Sequence, residues 1–170
     1  MSAAGFRWQK RMEMFLTLTP PDDRTVHVVV DTAGNTGKSR FVNHMCIARS
    51  MMFGHHSSNQ ANATIWQGQA ACLIDVPRSA GGTIDWATVE QLKGGTLLQA
   101  KYEIELRTFA VPHIVVFTSD LPPASLAMLA ADRWHILRDC LCDSMTLHDL
   151  FPPSRFPSVE ALADPFEAEP

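Results

Sequence analysis

With 170 residues, 46% of them hydrophobic and 19% charged, the chain holds enough apolar material for one globular domain with its own core. No apolar run approaches the roughly 18 residues a bilayer-spanning helix needs, and the N-terminus lacks the apolar stretch of a signal peptide, so an intracellular protein with no membrane partner is expected. The net charge of -4 excludes a broad basic face: Glu160, Asp164, Glu167 and Glu169 crowd the end, and setting those four aside from 18 acids leaves 14, equal to the 14 Lys and Arg. Any contact with nucleic acid must therefore be local.

In chain order, "RWQKRMEMFLTL" carries Trp8, Met12, Phe15 and Leu16 at helical spacing, and "PPDDR" ends that helix with a turn. "TVHVVV" is a β-branched run of buried-strand type, and "GKSRFVNHMCIARSMM" continues it as a helix after glycines. "ATIWQ" and "AACLIDV" read as further strands, "DWATVEQL" as a short helix capped by Asp85, and "PHIVVFTSD" as another buried strand. "PASLAMLAADR" reads as helical and "WHILR" as a last strand. Apolar strands alternating with helices imply a mostly parallel, three-layered α/β domain over residues 1–150. Residues 151–170, rich in Pro and acid, are expected to be poorly ordered. Cys46, Cys72, Cys140 and Cys142 show no framework spacing and suit a reducing compartment. Neither His55 with His56, nor His135 with Cys140, Cys142 and His148, follows a zinc-finger spacing, so no metal other than magnesium is expected.

The stretch "VHVVVDTAGNTGKSRFVNH" has the strand, glycine loop and helix of a phosphate-binding loop, with Thr32 where the motif has its first glycine. In such loops glycines let successive N–H groups turn inward around phosphates, Lys reaches the terminal phosphates and Ser or Thr ligates magnesium. Gly34, Asn35, Thr36, Gly37, Lys38, Ser39 and Arg40 are thus the candidate ATP-binding residues. A β-branched residue at the entrance restricts the backbone there but leaves the cradle and its two reactive side chains intact. Magnesium also wants a carboxylate at the tip of a neighbouring strand, and "ACLIDVPRS" delivers Asp75 there, beside Ser39 as the second expected ligand. Many ATPases follow this acid with Glu as the water-activating base. Val76 follows here, and the base stays unassigned.

Taken together, "DRTVHVVVDTAGNTGKSRF", "LIDVPRS", "VEQLKGGTLLQAKYE", "PHIVVFTSDLPP" and "ADRWHI" occur in the order and spacing of one family. They resemble the superfamily-3 helicase domain of replication-initiator (Rep) proteins of circovirus-like, CRESS-DNA viruses, over roughly residues 8–136. The resemblance implies an AAA+-like P-loop NTPase fold, a mostly parallel central sheet with flanking helices. In these relatives the loop commonly opens with Asp, so Asp31-Thr32 fits the pattern. Lys38 and Ser39 look like the phosphate lysine and the magnesium hydroxyl, and Asp75 like the Walker B acid. "LKGGTLLQAKYE" is similar to the family's hairpin that grips single-stranded DNA in the channel of a ring, which makes Lys93 and Lys101 its phosphate contacts. Physically, adjacent glycines permit a protruding turn and lysine attracts phosphate without regard to sequence; a solvated surface hairpin is the plain alternative.

The sensor strand departs from the family, ending Thr118, Ser119, Asp120 where relatives end in Asn. Asp120 has the shape of Asn but cannot donate an amide hydrogen bond toward water or γ-phosphate, and Ser119 takes its place if the register slips by one. Arg133 occupies a position where relatives carry an arginine, as a finger to a neighbouring subunit's nucleotide; pairing with Asp132 or capping a helix would equally explain it. The relatives also carry a nickase with a His-hydrophobic-His motif and a catalytic tyrosine. The only tyrosine here, Tyr102, lies within the helicase-like region, and no such motif precedes Trp8, so a helicase module without the nickase is expected, either natural or truncated, with a nickase supplied by another chain as one option. The resemblance thus implies an ATP-dependent DNA helicase using ATP and magnesium, working as a homo-oligomeric, hexameric ring on single-stranded DNA in the host nucleus. Two other readings fit the loop: a P-loop kinase or other small-molecule NTPase, and a nucleotide-binding assembly module without turnover.

Overall fold

The computed structural model describes residues 7–49, 52–54, 66–81, 83–99 and 104–141. Lys101, Tyr102, His55, His56, Cys142, His148 and the acidic tail lie outside them. Two compact units divide the chain, one of Met1–Pro20 with Cys140–Pro170 and one of Pro21–Asp139.

In the first unit, α1 (Arg7–Leu18) buries Trp8, Met12, Phe15 and Leu16, the stripe that its spacing predicts. Its last turn is closed by Thr17, whose hydroxyl donates to the Glu13 carbonyl at 2.8 Å, and by the Thr19 N–H on Phe15 at 3.0 Å. Pro20 and Pro21, lacking donors, prevent its continuation.

The second unit is built on β1 (Val26–Val30), α2 (Lys38–Ala48), β2 (Met52–Gly54), β3 (Ala71–Asp75), α3 (Trp86–Lys93), β4 (Thr96–Gln99), β5 (Glu105–Thr108), β6 (His113–Thr118) and β7 (Trp134–Arg138). Five strands form one parallel sheet in the order β2-β3-β6-β1-β7, and β4 and β5 form a separate antiparallel hairpin. β1 and β6 are buried at every position, as their unbroken β-branched and aromatic runs require for strands covered on both faces. One face packs Val26, Val28, Val30, Ile74, Ile114 and Val116 against Trp86, Val89 and Leu92 of α3. Side chains alternate along a strand, so Phe117 points the other way, where Phe41 of α2 meets it edge-on with centroids 6.1 Å apart. The result is an α/β architecture with a parallel central sheet and helices on both faces. The cap expected at Asp85 is present: its carboxylate accepts from the Thr88 N–H at 3.1 Å and the Thr88 hydroxyl at 2.6 Å.

Two expectations change. "PASLAMLAADR" is not an α-helix but two 3-10 turns, Pro123–Ala127 and Ala131–Arg133. Only Leu121 and Leu129 around it are buried while Leu126 and Met128 face solvent, so no helical apolar stripe finds a surface to cover. In "ATIWQ", residues 63–65 lie outside the described part, while Trp66 and Gln67 belong to no strand. Trp66 is nonetheless a core residue, with Phe109 packed on it at 4.7 Å between centroids. No disulfide joins Cys46, Cys72 or Cys140, and burial pushes the Cys72 thiol pKa far up. Among the described residues no helix is long and apolar enough to cross a membrane.

Candidate functional site

Parallel pairing brings the carboxyl ends of the strands to one edge: Val30 lies beside Thr118 of β6 and Arg138 of β7, and Asp75 beside Phe117. In open parallel sheets that edge is where ligands bind. The segment leaving β1 there turns through three residues with positive φ, Gly34 at 79°, Asn35 at 60° and Gly37 at 81°, before α2 begins at Lys38. Glycine at 34 is favoured by its left-handed φ, and a Cβ there would displace the Arg78 guanidinium, whose Nη2 would lie 2.6 Å away. Asn35 is one of the few non-glycine residues that tolerate this region.

The loop's donors converge on one anion. Asp31, only 2% exposed, accepts from the Gly34 N–H at 3.1 Å, from the Thr36 hydroxyl at 2.7 Å and from the Lys38 ammonium. Burial alone would raise its pKa, but the bonds from Lys38, Thr36 and Gly34 prevail and hold the carboxyl below its ordinary range. A loop that satisfies a buried carboxylate with a backbone N–H, a hydroxyl and an ammonium has the donor set a phosphate needs. The residues present therefore fit a bound nucleotide phosphate.

Thr32, the apparent flaw at the entrance, is clamped on three sides. Its N–H and hydroxyl both donate to Asp139 Oδ1, at 2.8 and 2.7 Å, and its carbonyl accepts from Arg78 Nη2 at 2.7 Å. Asp139, at φ 48°, is itself anchored by its N–H on the Val30 carbonyl at 2.8 Å, and the Thr32 bonds hold its carboxyl below the usual range. The hydroxyl that a glycine lacks thus adds a third bond to two that the backbone of any residue here could make. Asp139 and Arg78 were not among the expected site residues. Arg78 stands in a segment already marked by Asp75, whereas Asp139 gives no local signal, its partner lying 107 positions away.

Asp75 ends β3, half-buried, with the next N–H, that of Val76, donating to Phe117 at 2.8 Å. Ser39 and Arg40 are exposed in the first turn of α2. Asp120 is exposed just past β6, in a turn where the Thr118 hydroxyl donates to the Asp120 carbonyl at 2.6 Å. Loop, Asp75 and Asp120 therefore share one edge of the sheet. Arg133 does not join them: it precedes Trp134, which pairs with Val26 at the opposite end of β1. Its guanidinium lies 4.0 Å from Glu90, and Nη1 is buried with no hydrogen-bond partner among the described residues. Asp132, the alternative partner, bonds Arg24 at 2.6 Å, and Arg133 adds a smaller electrostatic pull on its carboxyl.

Lys93 departs from its expected role as a DNA contact. It is the last residue of α3, 3% exposed, and its ammonium donates to the carbonyls of Asp22 at 2.7 Å and Pro112 at 3.1 Å. Burial lowers its pKa to about 8 against the pull of Asp22 and Asp23. A side chain so placed is an internal strut and presents no charge to a DNA backbone. The two glycines form not the tip of the hairpin but its base. Gly94 caps α3, and Gly95, at φ 68° with no room for a Cβ against the Phe109 carbonyl, leads into β4. The hairpin buries Leu97 and exposes Leu98 with Leu106 directly across from it.

No protein-family model matches the chain. It is 29% identical over 135 residues to Para-Rep C6 of Subterranean clover stunt C6 alphasatellite, an alignment covering 77% of this chain and 46% of that protein. With the Master replication protein of Faba bean necrotic yellows virus it shares 26% identity, over 71% of this chain and 42% of the relative. With that of Subterranean clover stunt virus it shares 25%, over 74% and 43%. Among solved structures, the apo A form of the NrS-1 C-terminal region superposes with a TM-score of 0.46 at 6% identity, covering 85% of this chain and 36% of that one. The chain spans less than half the length of the replication proteins it matches. Over about three-quarters of its own length, then, this chain is homologous to the replication proteins of viruses and alphasatellites, at 25–29% identity.

Proposed function

We propose that this chain is the ATP-dependent DNA helicase module of a viral Rep protein, of superfamily-3 type, hydrolysing ATP with magnesium to move along single-stranded DNA. The observation that carries the reading is the loop after β1, whose N–H, hydroxyl and ammonium donors already hold a buried anion, in a chain similar to replication proteins. Gly34 to Arg40 would hold the nucleotide phosphates, with Lys38 on the terminal ones, and Ser39 with Asp75 would hold magnesium. Bound magnesium would draw charge from the phosphates. Asp120, exposed at the same edge, would take the sensor's place facing water and γ-phosphate.

Arg133, largely buried beside Glu90 at the far end of the sheet from its own loop, would have to turn outward to act as a finger toward a neighbouring subunit in a ring, a hexamer by resemblance. With Lys93 buried, contact with DNA falls to Lys101, and one lysine per subunit becomes a ring of charge only on assembly. The test is ATP hydrolysis with and without single-stranded DNA. Stimulation by DNA that Lys101→Ala weakens, with salt dependence of binding flattened, is the expected result. Hydrolysis indifferent to DNA would point to a small-molecule NTPase, and binding without hydrolysis to an assembly module.

A further inference from the structure

Lys38 is engaged by a neighbour seven positions earlier in its own loop. The Asp31 carboxylate takes the Lys38 ammonium, the Thr36 hydroxyl and the Gly34 N–H at once. It is almost wholly buried, and its backbone is pinned by its N–H on the Thr118 carbonyl at 2.9 Å. The next residue is fixed by Asp139 and Arg78, so neither end of the Asp31 peptide is free to carry the carboxylate away. The Gly34 N–H and the Thr36 hydroxyl each have one proton to give, so a phosphate using them must take them from Asp31, and it must share or win the three-proton Lys38 ammonium, while the carboxylate leaves by turning about its own side-chain bonds.

We propose that Asp31 is an internal competitor for nucleotide, a carboxylate that keeps the loop's donors aimed at one point and must yield them to a phosphate for it to bind. This rests on the nucleotide-site reading above. The carboxylate has two opposed effects. It pre-organises the donors, so the loop needs no reordering, and it lowers the affinity of every ligand that uses them by one common factor, the fraction of molecules in which Asp31 has released them. A ligand without phosphate feels no such factor.

The test is calorimetric binding of ATP, ADP and adenosine to the chain, to Asp31→Asn and to Lys38→Ala. Asn keeps the shape and an acceptor oxygen but loses the charge. Asp31→Asn should tighten ATP and ADP by about tenfold, the lower end for one charge-assisted hydrogen bond, and leave adenosine unchanged. Equal or weaker ATP binding in Asp31→Asn, where binding by the parent depends on Lys38, overturns the competitor and leaves the nucleotide site standing. Failure of both the parent and Asp31→Asn to bind ATP overturns the site itself and this inference with it. A measurement on the unaltered chain guards against a misfolded variant: the Asp31 carboxyl carbon, followed by NMR, should titrate below the ordinary range alone and shift upward when a non-hydrolysable ATP analogue saturates the site. A titration unchanged by the analogue overturns the competitor.

Discussion

Lys38 and Lys93 both follow or precede glycines in segments that read as phosphate-contacting, yet they end in opposite situations. Lys38 opens a helix at the carboxyl edge of the sheet, in a loop whose left-handed residues turn its donors toward one point. Lys93 closes a helix and is swallowed by the fold, its ammonium tying two backbone carbonyls from elements 71 and 19 positions away. Residue type and nearby glycine are the same in the two places. What differs is which end of a helix the lysine occupies, and whether the following backbone turns toward solvent or back under the core.

The comparison is tested most severely by truncating each lysine. Lys38→Ala should reduce ATP hydrolysis at least about 100-fold while retaining the far-UV circular dichroism of the parent, because the group acts on ligand. Asp75→Asn should do the same to magnesium-dependent turnover, and unchanged steady-state rates in both would remove the assignment. Lys93→Ala should instead leave nucleotide affinity alone and lower stability by about 2–3 kcal/mol, through a cavity and two carbonyls without their donor. Chemical denaturation of the two variants side by side reads the contrast.

The pH dependence of stability sharpens it. Lys93 titrates near 8 in the folded protein, chiefly because it is buried, and at its ordinary value of 10.5 when unfolded. Between those values the unfolded chain binds a proton that the folded chain has released, so stability should rise with pH through that window. Lys93→Met, which fills the space without a titrating group, should lose this rise relative to the parent. The smallest effect expected is at the sensor: Asp120→Asn, by removing a negative charge from the edge that receives phosphate, should raise turnover by roughly threefold. A fall in rate at unchanged ATP affinity would identify Asp120 as the missing base.

How much was legible depended on how local the cause was. The strand, glycine loop and helix from Val26 to Ala48 could be read because each depends on neighbours: a β-branched run, glycines at left-handed positions, a helix-compatible tail. The Asp85 cap was visible for the same reason. The segment after Pro122 misled because its Leu and Ala content suits a helix, while whether a surface waits to bury that helix is a tertiary matter. Lys93 misled because its partners, Asp22 and Pro112, are far off in sequence. The clamp on Thr32 was out of reach, since Asp139 meets it only once β7 is in place beside β1.

That last contact has a consequence for the order in which the molecule comes into being. β1 is made before both strands that flank it, β6 and β7, and the Thr32–Asp139 contact closes a loop of 107 positions. During synthesis the phosphate-loop sequence must emerge with neither neighbour to pair with and wait until the second unit is nearly complete. Non-local parallel pairing of this kind is slow to form and leaves unpaired strand exposed meanwhile. The phosphate-loop segment is therefore made before β6 and β7 yet acquires its working shape only with them, and a nascent chain ending before Trp134 should not retain nucleotide.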